Sequence, residues 1–161
     1  MNPQHRIYLS IGSNIDPENN LPRAIELLSR HGEVKAVSGV WESHAVGSSG
    51  PNFLNTSVLF ATDMSAQELK EQVIVPIESA LCRIRTADKN APRTIDIDIM
   101  MVDDKPYNLD RWDNAFVLLP IAELLPEGIH PLRRERLRDA AETARQKTWI
   151  VQRPGLLKFP L

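Results

Sequence analysis

The stretch PRTIDIDIM, residues 92–100, constrains this chain most. Ile95, Ile97 and Ile99 alternate with Asp96 and Asp98, so the segment reads as a strand that buries one face and presents two carboxylates on the other. Residues i and i+2 of a strand lie about 7 Å apart at the backbone, close enough for two flexible carboxyl groups to converge on one metal ion or on a close pair. Left without a cation the two carboxylates repel, and at least one is expected to hold its proton more tightly than usual. Arg93 stands just before the strand, and Arg83, Arg85 and Lys89 precede it in a charged stretch. An Asp-x-Asp pair alone more often marks a solvated strand edge. Carboxylates suited to Mg2+ with arginines beside them, however, point to polyphosphate chemistry.

The rest of the composition narrows the partners. A chain of 161 residues, 42% of them hydrophobic, is sized for a single domain over residues 1–161 that buries roughly 70% of the surface its unfolded form exposes. A net charge of -2 provides no general field for nucleic acid or an anionic membrane, so attraction for phosphate has to be local and the expected ligand is a small anion. Protein partners are left open. Cys82 is the one cysteine and has no internal partner for a disulfide, and the four histidines are scattered without metal-ligand spacing. No apolar run approaches the roughly 18 residues of a membrane span. The opening MNPQHRIYLSIGSN lacks the apolar segment of a secretory signal, which leads to the expectation of a reducing cytoplasm. Neither GxxxxGK[ST] nor GxGxxG is present, so ATP would bind without a P-loop or a Rossmann turn.

In chain order, Ile7, Leu9 and Ile11 predict a first strand, turned by Gly12-Ser13-Asn14. Leu21, Ala24, Ile25 and Leu28 predict a helix with Asn20 as its cap and Pro22 in its first turn. Residues 34–43 predict a second strand, residues 44–51 a loop, and residues 52–62 a third strand carrying Phe53 and Asn55 on one face. Ser65 and Glu68 form a capping box for a long helix with the stripe Leu69, Val73, Ile77, Ala80, Leu81 and Ile84, kinked at Pro76. The 92–100 strand then runs into a turn at Asp103 and Asp104, followed by a polar connection, an apolar segment over 116–125 and a third helix with Leu137, Ala140, Ala141 and Ala144 inward. Residues 149–161 read as a tail laid on the body. Four strands interspersed with three helices give an α+β layer fold with a mainly antiparallel sheet.

The order of landmarks, IYLSIGSN, GPNFLN, Glu78 followed by CRIR, APRTIDIDIM and FVLLPIAELLP, resembles that of the 6-hydroxymethyl-7,8-dihydropterin pyrophosphokinase family over roughly residues 7–131. The resemblance implies a ferredoxin-like three-layer α-β-α sandwich. It implies transfer of pyrophosphate from ATP, as co-substrate, to the hydroxymethyl group of a reduced pterin in folate synthesis, with release of AMP. On that resemblance Asp96 and Asp98 match the carboxylates that hold two Mg2+ ions, and Arg83 and Arg93, helped by Arg85, match the arginines that grip the phosphates. Phe53 and Phe116 match the rings that sandwich the pterin, and Asn55 matches the amide at its edge. Ser43 and Val46 match residues lending backbone contacts, and Glu78 a glutamate that touches the nucleotide. The loops at 43–51 and 85–92 become lids that shut out water.

The chain departs from the family pattern in four places. Asn108 and Asn114 stand where a histidine and an arginine reaching the triphosphate are usual, with Arg111 between them as a substitute. Asn90 stands where a tryptophan is usual, and Cys82 where a glycine is common. These departures motivate an alternative reading, a diverged paralogue that binds a pterin with low or altered turnover.

Overall fold

The computed structural model describes residues 4–47 and 50–157. Within them the sheet is built from two interleaved strand-helix-strand units. Strand β1 (His5–Ser13) leads through helix α1 (Pro17–Ser29) to β2 (Glu33–Val37) and β3 (Trp41–Ser43), while β4 (Phe53–Thr62) leads through a second helical segment to β5 (Asp96–Val102). The strand order is β6-β5-β1-β4-β3-β7, with β2 also on β4, where β6 is Lys105–Pro106 and β7 is Ile150–Gln152. Taking β2 and β3 as one interrupted strand, the central four run 4-1-3-2, the ferredoxin-like order, and every pairing is antiparallel.

Helices cover both faces. Ile7, Leu9, Ile11, Val58 and Phe60 pack against Leu21, Ile25 and Leu28 of α1 and against Leu69, Val73 and Ile77 of the second helical segment. On the other face Tyr8, Leu59 and Met100 meet helix α4 (Ala115–Leu124) and helix α5 (Leu137–Lys147) through Leu118, Ile121, Leu137 and Ala140, with Trp112 fully buried among them. This second layer covers only half of its face. Further along the same face the pleat continues as Ser10 and Gly12 on β1, Phe53 and Asn55 on β4, and Asp96 and Asp98 on β5, and these line a cavity.

Local readings differ from the structure at identifiable places. Helix α1 begins at Pro17 with Asp16 in the left-handed region as its cap, so Asn20 lies inside the helix and its side chain donates to the Ile15 carbonyl. The second predicted strand is broken at Ser38, whose buried hydroxyl accepts from the Ser57 N–H and pairs with Thr56. The capping box of Ser65 and Glu68 forms as expected. The expected kink at Pro76 takes another form: helix α2 (Ala66–Leu69) passes into a π-helical turn, Lys70–Ile74, before helix α3 (Val75–Ala80). The wider turn makes room for a ring that would press on the carbonyl four residues back. Because α3 stops at Ala80, that residue and Ile84 are exposed, and Ile74 joins the buried stripe in their place. Residues 150–152 are a strand paired with β3, so the segment expected as a tail laid on the body contributes an element to the sheet. Residues 48 and 49 of the 44–51 loop and residues 158–161 of the predicted tail lie outside the described residues.

Candidate active site

The register of β1 against β5 sets the floor of the cavity. Ser10 faces Asp98 and Gly12 faces Asp96, so two of the three smallest residues on β1 stand beside the two carboxylates. A Cβ on Gly12 would lie 3.1 Å from Asn55 Oδ1 and 3.7 Å from the Phe53 ring, so this approach needs a small residue. Asn55 is buried, and its amide donates to the Trp41 carbonyl at 3.1 Å and to Ser43 Oγ at 2.9 Å. Both amide hydrogens are thus committed, and Oδ1 is the atom left to accept from a ligand.

The cavity holds about 230 Å³, and its floor runs from Phe53 and Asn55 on β4 across β1 to Asp96 and Asp98 on β5. Arg93 and Arg111 reach the aspartate end, and Ser43, Val46, Lys89 and Phe116 also line the cavity. Asp96 accepts from Arg83 at 3.0 Å through Oδ1 and from Arg93 at 3.3 Å through Oδ2. Arg111 Nη1 sits 3.4 Å from Asp98 Oδ2 and 3.9 Å from Asp96 Oδ2. Burial, and next the charge of Asp96, push the Asp98 carboxyl from its ordinary 3.8 up to about 6, with Arg111 opposing them. A second cavity of about 340 Å³ shares Asp98 and is bordered by Lys70, Glu71, Ile74, Tyr107 and Asn108.

Of the residues singled out from sequence, Ser43, Val46, Phe53, Asn55, Arg93, Asp96, Asp98 and Phe116 line the first cavity. Glu78, Arg83 and Arg85 do not. Glu78 is buried behind Asp96, where it accepts from Arg83, from Arg85 at 3.0 Å and from the Ile97 N–H at 3.3 Å. It aims Arg83 at Asp96, while the Arg85 side chain is largely exposed. Asn108 is tied to the Ile99 carbonyl at 2.8 Å and borders the second cavity, whereas Asn114 reaches the first. Asn90 lies against Gly47, whose φ of 69° and lack of a side chain both suit a glycine. From the sequence Asn14 reads as part of a turn. Its buried side chain instead accepts from the Arg93 N–H at 2.8 Å and donates to the Pro51 carbonyl at 3.1 Å, and its own N–H donates to the Arg93 carbonyl.

A slot bounded by two aromatic rings and a keyed amide, opening onto paired carboxylates ringed by arginines, equips an enzyme for a flat heterocycle and an anionic co-substrate. Comparison with known proteins gives the particular kind. Residues 8–126 match the model of the 7,8-dihydro-6-hydroxymethylpterin-pyrophosphokinase family. The chain is 33% identical over 138 residues to the 2-amino-4-hydroxy-6-hydroxymethyldihydropteridine pyrophosphokinase of Synechocystis sp., covering 79% of this chain and 70% of that one. It is 34% identical over 146 residues to the enzyme of the same name from Aquifex aeolicus, covering 83% and 88% respectively. Among solved structures, the wild-type HPPK-DHPS of Plasmodium falciparum with pterin and p-hydroxybenzoate superposes with a TM-score of 0.70 at 13% identity, covering 88% of this chain. The present chain spans 42% of that protein, and the likeness shows the fold. The chain belongs to the 7,8-dihydro-6-hydroxymethylpterin-pyrophosphokinase family. Members of this family are ATP-dependent pyrophosphokinases of folate synthesis.

Proposed function

We propose that residues 1–161 work as one catalytic unit that transfers the terminal pyrophosphoryl group of ATP to 6-hydroxymethyl-7,8-dihydropterin. The hydroxymethyl oxygen attacks the β-phosphorus, the bond from that phosphorus to the oxygen bridging the α-phosphate breaks, and AMP leaves while the hydroxyl proton passes to solvent. The observation that carries this reading is the single cavity that joins the Phe53, Phe116 and Asn55 slot to the Asp96, Asp98 and Arg93 cluster.

Each residue has a task in this scheme. The two phenyl rings grip the faces of the pterin, and Asn55 Oδ1 accepts from the N–H groups at its edge. Ser43 and Val46 border the same slot. Arg93 faces the transferred group, and Arg83, aimed by Glu78, neutralises Asp96 from behind; Arg85, outside the cavity, exposed and paired with Glu78, would have to swing to meet the nucleotide. The second cavity beside Asp98 gives room for the remainder of the nucleotide.

The residues present suit magnesium. Burial, and next the charge of Asp96, make Asp98 resist ionisation, and a cation between the two carboxylates would offset both. An ion held by two carboxylates completes its shell with phosphate oxygens and water, as Mg2+ does in polyphosphate sites. Asp96 and Asp98 would hold two Mg2+ ions, which would supply positive charge against that developing on the phosphates.

No described helix is long and apolar enough to cross a membrane, and the single exposed thiol of Cys82 fits a reducing cytoplasm, which we take as the working compartment. Following AMP in a mixture of the protein, MgATP and 6-hydroxymethyl-7,8-dihydropterin tests the function. Stoichiometric AMP and pterin pyrophosphate are expected. Pterin bound without AMP above background would instead favour the binding paralogue suggested by Asn108 and Asn114.

A further inference from the structure

Three arginines approach the aspartate pair, and they are held differently. Arg83 is 9% exposed and clamped between Glu78 and Asp96; Arg93 is 16% exposed and clamped between the Lys89 carbonyl and Asp96. Arg111 is 37% exposed, and its contacts of 3.4 and 3.9 Å are longer than ordinary charged hydrogen bonds. Its side chain is therefore free to leave.

Its backbone is not. Arg111 ends the short 3-10 turn Leu109–Arg111, directly before the fully buried Trp112. Trp112 Nε1 donates to the Tyr107 carbonyl at 2.8 Å. Nδ1 of the buried His130 accepts from the Leu132 and Arg133 N–H groups, so Nε2 carries the hydrogen and donates to the Trp112 carbonyl at 2.9 Å. The guanidinium is thus a mobile group on a fixed base. It stands close to Oδ2 of both aspartates, the atoms an ion shared by the pair would take. Two cations at that separation repel, so only one can hold the place.

We propose that Arg111 is a built-in counter-cation of the Asp96–Asp98 pair, displaced when a divalent ion enters and then free to bind the phosphates that arrive with it. The inference rests on the proposed assignment of the pair as the metal site. Arg111 keeps the carboxylates neutralised in the free protein and opposes a bare ion. A metal–nucleotide complex gives the guanidinium a new anionic partner, so metal and nucleotide enter together.

The test reads two affinities that move in opposite directions. Mn2+ alone, followed by its free-ion paramagnetic signal, is expected to bind Arg111→Ala about threefold or more tighter than wild type, because the competing cation is gone. The Mg2+ complex of a non-hydrolysable ATP analogue is expected to bind the same variant about tenfold or more weaker. Arg111→Lys, which restores the charge on a shorter reach, should return Mn2+ affinity towards wild type. A purely structural role cannot tighten one ligand while loosening the other. Should Arg111→Ala melt earlier than wild type, Arg111→Gln carries the same measurements. Unchanged or weaker Mn2+ binding in the neutral variants, or no Mn2+ binding by any form, overturns the inference. If wild type produces AMP while Mn2+ affinity is indifferent to Arg111, the inference fails and the function stands; no AMP together with tighter Mn2+ binding does the reverse.

Discussion

Asp98 titrates near 3.8 in an unfolded chain and at about 6 when folded, so the folded protein holds that proton more tightly. The stability it contributes is greatest below about pH 4, declines as pH rises between the two values, and is lost above about 6. Asp98→Asn removes the ionisable group. The variant is expected to lose turnover and yet to be more stable than wild type at pH 7, by on the order of 2 kcal/mol without metal. Denaturant melts at pH 4 and pH 7 check this, because the difference between variant and wild type should shrink at the lower pH. A variant that is less stable at pH 7 would contradict the burial and repulsion assigned to this side chain. Asn14 makes the opposite case, a polar residue that both stabilises and positions. Asn14→Ala removes the acceptor for the Arg93 N–H and the link to Pro51. It should destabilise by about 1–3 kcal/mol and lower kcat more than it raises the KM for pterin. Equal loss in both constants, measured at saturating MgATP, would remove Arg93 positioning as its role. That Asp96 and Asp98 share one face of a strand was legible in the alternation of their own motif, whereas Phe53 and Phe116 were singled out only by the resemblance to the family. Asn14 and Arg111 were harder to read, since their meaning comes from partners 79 residues away in one case and 13 in the other.

The elements show the same division between local and distant causes. The capping box at Ser65 and the alternation of β1 and β5 are local and form as the residues say, except that pairing with β4 carries β1 on through Gly12 and Ser13, where the sequence places a turn. The break in the second predicted strand depends on Ser38 meeting Ser57 and Thr56 across the sheet, which periodicity within 34–43 does not register. Strand β7 is similar: three residues between a helix and Pro154 carry little pattern, and they become a strand because β3 offers them an unpaired edge. That pairing brings Trp149 onto His44, with ring centroids 4.4 Å apart and planes 17° from parallel. His44 lines the cavity and is also bonded to Asn52 at 3.1 Å, so a segment beyond the family-matched residues 8–126 braces the rim of the pterin slot. Trp149→Ala is expected to raise the KM for pterin by roughly three- to tenfold while kcat and the KM for ATP stay near wild type. Trp149→Phe, which keeps a stacking face, should recover most of the loss. A fall in kcat with an unchanged pterin KM would show that the stack braces something other than the slot.

At the scale of the whole molecule, layer type was readable from periodicity, but strand order was not, because hydrophobic patterns say which face is buried and not which neighbour is beside it. The 4-1-3-2 order is what sets β1 between β4 and β5 and so brings Phe53 and Asn55 across from Asp96 and Asp98. Charge has the same global and local parts. The chain carries a net charge of -2, yet Arg93 and Arg111 converge on the aspartate end of the cavity, Phe53 lies towards the other on β4, and Lys89, Val46 and Phe116 complete the lining. Attraction for a polyphosphate is therefore a short-range property of one cluster set in a weakly repulsive whole, and at high ionic strength much of it is screened. Pterin carries no such charge, and on the proposed reading it is held by stacking and the Asn55 amide, which salt leaves alone. A tenfold rise in ionic strength is expected to weaken binding of a non-hydrolysable MgATP analogue severalfold, by slowing its association, while the affinity for pterin alone stays constant. Calorimetric titrations of each ligand at both salt concentrations check this. Parallel weakening of the two would mean that charge and stacking are not divided between the ends of the cavity.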